Sequence, residues 1–224
     1  MTPTFAALPD LAAVAGGVID SWLIGLMVFA FVSSITPGPN NILLAASGAR
    51  FGSRRTVAHA GGIWAGMVTL LLLAAAGFGA LAATAPALVI GLQIMAAAAL
   101  VWTAVGLVRT APRGTAAESP AAGRPWSFWQ GLGFQYLNPK ALMMAVTAVA
   151  MTPLGAQPSP KLVAAMIAAF MIVSIPCTWV WVLTGAALRR ALHSPARQRA
   201  FNLAMAALLV ATIPLGFMPA MSAA

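Results

Sequence analysis

Two proline-centred motifs stand 100 residues apart in this 224-residue chain, Thr36-Pro37-Gly38-Pro39-Asn40-Asn41 and Asn138-Pro139-Lys140, so that Pro39 maps onto Pro139 and Asn40 onto Lys140. Both lie inside long apolar stretches. Two prolines around a glycine remove two backbone donors and restrict Thr36 and Gly38, the pre-proline residues, so a continuous helix is not expected there. A helix that resumes after Pro39 or Pro139 exposes unpaired N–H groups and a partial positive charge, which in a low dielectric favours an anion such as a carboxylate. Lys140 adds a full charge at one of these ends. Asn40, Asn41, Gln135, Asn138 and the Thr36 hydroxyl supply donors and acceptors for an ammonium or for freed carbonyls. Thr36, Pro37, Gly38, Pro39, Asn40, Asn41, Gln135, Asn138, Pro139 and Lys140 thus make a candidate binding set suited to a small zwitterion.

Other polar or unusual residues have plainer readings. Pro176 and Pro214 read as ordinary kinks in spanning helices. Gly62 and Gly66 form a GxxxG, extended backward by Ala58, and predict close packing of that helix on another. His59, near Arg54 and Arg55, reads as a topogenic or interfacial residue. Trp102, Trp126 and Trp129 fit an interfacial belt, whereas Trp64, Trp179 and Trp181 lie deeper, facing either a cavity or lipid. Cys177 is the single cysteine, so neither an internal disulfide nor a cysteine metal site is expected. No Ser/His/Asp set, carboxylate pair, metal-ligand spacing or phosphate-cradling loop is present, so the expectation is a protein without enzymatic activity, metal or cofactor.

The elements that position the two motifs follow from composition. Hydrophobic residues make up 61% of the chain and charged residues 7%, against about a quarter charged in soluble domains. Cutting the apolar runs at charge clusters and proline-rich breaks leaves six segments near the roughly 20 residues that span a bilayer: Asp20–Ala49, Val57–Ala83, Ala87–Val108, Ser127–Met151, Leu162–Leu188 and Ala200–Met218. The net charge of +9 comes from twelve basic and three acidic residues. Ten of the twelve fall in alternate loops: Arg50, Arg54 and Arg55; Arg109, Arg113 and Arg124; Arg189, Arg190, Arg197 and Arg199. They have no aromatic interleaving and read as topology signals rather than a nucleic-acid surface. The basic loops are therefore expected in the cytoplasm and both termini outside. The Pro/Gly/Ser-rich stretch 109–126 reads as a cytoplasmic linker between a first three-helix repeat, 19–108, and a second, 127–219, with 1–18 an extracytoplasmic segment that lacks the basic start of a signal peptide. Three helices per half put the second half upside down. The predicted fold class is an all-α membrane protein of six transmembrane helices, two inverted three-helix repeats with helices 1 and 4 broken. At about 1.5 Å per residue, each break lies roughly 17 Å from the inner face, near the middle of a core about 30 Å thick. Paired interrupted helices in inverted halves point to a transporter site.

At these residues the sequence resembles the lysine exporter (LysE/RhtB) family of bacterial amino-acid exporters. The resemblance is carried by Thr36-Pro37-Gly38-Pro39-Asn40, by Gly48 and Gly52, by Gly61-Gly62-Ile63-Trp64-Ala65-Gly66, and by the run Gly131 to Ala141 that ends in Leu137-Asn138-Pro139-Lys140-Ala141. It implies a multi-pass protein of the bacterial inner membrane that exports amino acids or related small zwitterionic metabolites, driven by the proton gradient and compatible with a homodimer. Many members of the family carry Asp after the first proline motif, where this chain has Asn40, and an amide cannot carry a transported proton. Asp20 and Lys140 are the groups left for gating or proton coupling. The alternative is a passive channel or facilitator for small polar solutes using the same breaks. The expected partners are a small solute and the lipid bilayer, with no nucleic acid.

Overall fold

The computed structural model describes residues 11–78, 86–109, 124–154, 158–189, 191–192 and 194–214. Among them all regular structure is helical: α1 (Leu11–Ile35), α2 (Pro39–Phe51), α3 (Ser53–Leu73) followed by a wide turn at Ala74–Phe78, α4 (Pro86–Arg109), α5 (Phe128–Gln135), α6 (Pro139–Met151), α7 (Pro160–Leu188) and α8 (Pro195–Ala211). The expected segments 1–10 and 110–123, with Asp10, Arg113 and Arg190, lie outside the described residues, as does the side chain of Asp20.

Local chemistry sets these boundaries. Proline opens α2, α6, α7 and α8, where its missing N–H costs nothing and its fixed φ suits the first turn. Ser127 and Gln130 form a reciprocal capping box at the start of α5. Gly52, at φ 82°, turns the chain directly from α2 into α3, a conformation open to glycine and strained for other residues. The first helix is already formed at Leu11, ahead of the expected Asp20, because the intervening residues are apolar and include no proline. The last begins at Pro195 rather than Ala200, since Ser194 accepts a hydrogen bond from the Arg197 amide and caps it.

The stretches Ser53–Gly77 and Pro160–Leu188 are each long and apolar enough to cross a membrane, and Trp22–Ile35 with Pro39–Phe51 are so together, bent by 52° at the break, as a broken span or a re-entrant loop. Large apolar residues more than half exposed recur along α1 (Ile24, Val28, Phe31), α4 (Ile94, Trp102), α7 (Ile172) and α8 (Leu203). A continuous apolar exterior of this kind needs lipid around it.

Small residues bring the helices together. A side chain at Gly48 would collide with the Val182 carbonyl, and one at Gly185 with the Ala45 carbonyl, so α2 and α7 meet backbone to backbone. Gly62 stands in the same way against the Phe128 carbonyl, and Gly131 against the His59 carbonyl, which seats α5 on α3. The expected close packing through Gly62 and Gly66 is thus present, its partner being the half-helix α5. The same contact covers His59: Gly131 lets α5 lie directly over it, and the residue is 1% exposed. The main core joins Leu26, Met67, Leu71, Ala141, Ala145, Met166 and Phe170 from α1, α3, α6 and α7, and lies beside the two breaks.

Candidate solute site at the two helix breaks

Where α1 stops, its last carbonyls need donors from outside the helix. Side chains supply them. Asn41 Nδ2 donates to the Ser34 carbonyl at 2.7 Å and to that of Thr36 at 2.8 Å, while the indole N–H of Trp181 donates to the Ile35 carbonyl at 3.2 Å. Lys140 reaches across from the other break. Its Nζ donates to the Thr36 carbonyl and hydroxyl, both at 2.9 Å, and to the Pro37 carbonyl at 3.3 Å. An ammonium here is set against the partial negative charge of a helix C-terminus. Gly38 makes room for it, since a Cβ at that position would stand 2.8 Å from Lys140 Cδ and 3.0 Å from Nζ. Lys140 therefore ties one broken helix to the other through its own side chain.

The resuming helices are capped differently. Asn138, 1% exposed, accepts from the Lys140 amide at 3.2 Å and so caps α6. At the start of α2, Gly38 offers no side chain and no side-chain cap exists. Asn40 stands in that first turn. Gln135 Nε2 is committed to the Ile63 carbonyl at 2.8 Å, which turns its Oε1 toward Asn40; Asn40 Nδ2 donates to it at 2.6 Å. This chain of donors fixes both amide orientations. It leaves Asn40 Oδ1 buried and without a hydrogen-bond partner. It also gives a physical reason for an amide at position 40: an ionised carboxylate has no donor to offer Gln135 Oε1.

Gly38, Asn40, Asn41, Gln135, Asn138 and Lys140 line one cavity. Thr36 and Pro37 are behind it and touch it only through Lys140, and Pro39 and Pro139 act by opening the two half-helices. Residues from α1, α3 and α7 complete the walls. Ser34 and Ser174 share a hydrogen bond of 2.7 Å, and Thr178 accepts from the Trp64 indole at 2.8 Å, with Met67, Met144, Phe170 and Met171 forming the apolar side. No carboxylate lines the cavity among the described residues. The space open to the centres of water molecules is about 40 Å³, enough for about three waters and too small for an amino acid. The site is contracted in this conformation.

Ser34, Ser174 and Thr178 were not anticipated from sequence, and Trp64 was left open between a cavity and lipid. The available signal was the placing of Ser174 and Thr178 on either side of Pro176 in an otherwise apolar helix, where hydroxyls serve the carbonyls that proline frees. Thr178 does so, donating to the Ser174 and Ile175 carbonyls. Of the tryptophans, Trp64 faces the cavity, Trp181 holds the end of α1, Trp102 and Trp129 are largely exposed, and Trp126 packs on His59 with ring centroids 5.1 Å apart.

No solved structure matches this chain. The cysteine/O-acetylserine efflux proteins of Salmonella typhimurium strain LT2 and Escherichia coli strain K12 are each 29% identical to it over 185 residues, covering 81% of this chain and 90% of the relative. The family model described as LysE type translocator matches residues 31–213, a range that begins in α1 and takes in both breaks, Lys140 and every helix after them. This multi-pass membrane protein belongs to the LysE type translocator family.

Proposed function

We propose that the protein exports small neutral amino acids or closely related zwitterions from the cytoplasm, by alternating access around the cavity between the two breaks. The observation that carries this reading is the meeting, in one cavity, of an uncapped helix N-terminus at α2, the ammonium of Lys140 and the unpartnered Asn40 Oδ1. A solute carboxylate is matched by the α2 amides and Lys140, and a solute ammonium by Asn40 Oδ1 and the carbonyls that Lys140 releases. The apolar wall of Met67, Phe170 and Met171 suits a short side chain. The names of the relatives, which describe efflux of cysteine and O-acetylserine, accord with a solute of this size.

Six spanning helices in two inverted halves remain the architecture we favour. Exchanging the halves maps α1, α2, α3 and α4 onto α5, α6, α7 and α8. The observed packing of α1 on α7 accords with that of α3 on α5, and α2 on α7 with α3 on α6. The two members of the last pair differ. Backbone meets backbone between α2 and α7, while α3 and α6 meet through side chains such as Met67, Leu71, Ala141 and Ala145. On the positive-inside reading the tight contact is the cytoplasmic gate, closed. We assign the energy source to the proton gradient, with Lys140 or Asp20 as the titrating group.

Uptake of radiolabelled cysteine, serine and alanine into inverted vesicles tests the proposal. Saturable uptake that collapses with a proton uncoupler is expected. Flux that stays linear in concentration and ignores the uncoupler would instead make the protein a passive facilitator, and no flux of any of the three would remove the assignment.

A further inference from the structure

A second cavity, of about 480 Å³ open to the centres of water molecules, lies at the basic end of the molecule between α2, α4, α8 and the strand of chain leading into α5. Three arginines from three separate elements line it: Arg50 at the end of α2, Arg109 at the end of α4 and Arg124 ahead of α5. Among the described residues no acidic side chain lines it. Topology alone does not call for this convergence, because orientation depends on how many basic residues a loop carries, not on where their side chains meet. Arg54 and Arg55, which belong to the same basic end, are exposed and stay out of the cavity.

His59 stands in the same wall. It lines the cavity, is 1% exposed, and neither ring nitrogen has a hydrogen-bond partner. A buried imidazole always carries at least one N–H donor, and leaving it unpaired is costly. The remaining wall is apolar and aromatic: Leu43, Leu107, Trp126 and Trp102, the last 82% exposed. Because Trp102 borders the cavity while facing outward on α4, the cavity opens sideways onto the apolar exterior.

From this geometry we propose that the cavity binds a phosphate ester, its phosphate held by Arg109, Arg124 and Arg50, and its apolar part lying along Trp102 and Leu107. Guanidinium groups suit phosphate oxygens through paired N–H donors, and basic pockets between spanning helices are known to take lipid head groups. The phosphate chemistry is shared by an anionic phospholipid and by a soluble phosphate ester, and the open side toward lipid favours the former.

The purified full-length protein in neutral detergent is titrated with dihexanoyl phosphatidylglycerol, dihexanoyl phosphatidylcholine and glycerol 1-phosphate, with binding read by native mass spectrometry. Phosphatidylglycerol is expected to bind about tenfold or more tightly than phosphatidylcholine, and to lose that margin in Arg109→Gln/Arg124→Gln. The same change of charge in Arg54→Gln/Arg55→Gln is expected to preserve it. Equal binding of glycerol 1-phosphate supports the phosphate site and assigns it to a soluble ester. Equal binding of the two lipids, or an equal loss in both double variants, overturns the proposal. Should the first double variant fail to fold, competition on the unaltered protein decides: phosphatidylglycerol bound at this site is displaced by rising phosphate concentration, and binding indifferent to phosphate counts against it.

Discussion

Lys140 holds more of the site together than any other side chain. Its ammonium satisfies the Thr36 and Pro37 carbonyls at the end of α1, while its backbone amide is the one that Asn138 caps at the start of α6. Lys140→Met retains the stem but takes the donor from the Pro37 carbonyl and leaves the Thr36 carbonyl with Asn41 alone, and hydrogen bonds to a charged group are worth about 1.5 to 3 kcal/mol. The expected result is a thermal midpoint lowered by about 3 to 12 °C and export lowered at least about tenfold, measured as initial efflux from preloaded cells; an unchanged efflux rate removes Lys140 from the site. Much of this site was legible beforehand, because proline and glycine act on their own backbone and leave a mark in the sequence. What was hidden is the direction of the side chains. Lys140 was expected to await a solute, and Asn41 to touch one, yet both turn to carbonyls of α1. Ser34, Ser174 and Thr178 were invisible for a related reason: a hydroxyl in an apolar helix can always bond its own preceding turn, so its presence says nothing of which way it faces.

Among the elements, the crossing of α2 on α7 brings backbone against backbone. Gly48 and Gly185 allow it, each standing against a carbonyl of the opposite helix. Overpacking costs about 1 to 3 kcal/mol in ordinary cores, and a backbone carbonyl cannot swing aside as a side chain can. Gly185→Val is therefore expected at the upper end, about 3 kcal/mol, or about 6 to 12 °C in thermal midpoint. Gly133→Ala, where nothing lies within 4 Å of the added Cβ, is expected to be neutral or slightly stabilising. Equal effects of the two substitutions, in the same melting assay, would show that the crossing is not tight. Helix extents were readable to within a few residues where a proline or a cap marks the end, as at Pro160 and Ser127. The partnering was not. A GxxxG announces that a helix packs closely, but the choice of α5 for Gly62 and of α7 for Gly48 depends on the whole arrangement.

For the molecule as a whole, the reading of orientation rests on where arginines cluster, and it is open to direct measurement. In a Cys177→Ser background, Lys161→Cys at the start of α7 is expected to react with a membrane-impermeant maleimide added to intact cells, and Arg199→Cys in α8 only after the inner face is exposed. The reverse pattern would invert the direction of transport. That the chain is an all-α membrane protein was legible at this scale because 61% hydrophobic content leaves few alternatives to lipid, whereas the contracted state of the cavity is a property of one conformation and has no signature in composition. The bridge from Lys140 to the end of α1 bears on the order of events in the cycle. On the proposed alternating-access reading, a carrier without cargo must break those three bonds to reorient, while a bound zwitterion replaces them with its own charges. The loaded carrier should then cross its barrier faster than the empty one. Unlabelled solute placed on the far side of a vesicle is expected to accelerate movement of labelled solute from the near side, and Lys140→Met to abolish that acceleration, giving the protein the kinetics of an exchanger even where its net task is export.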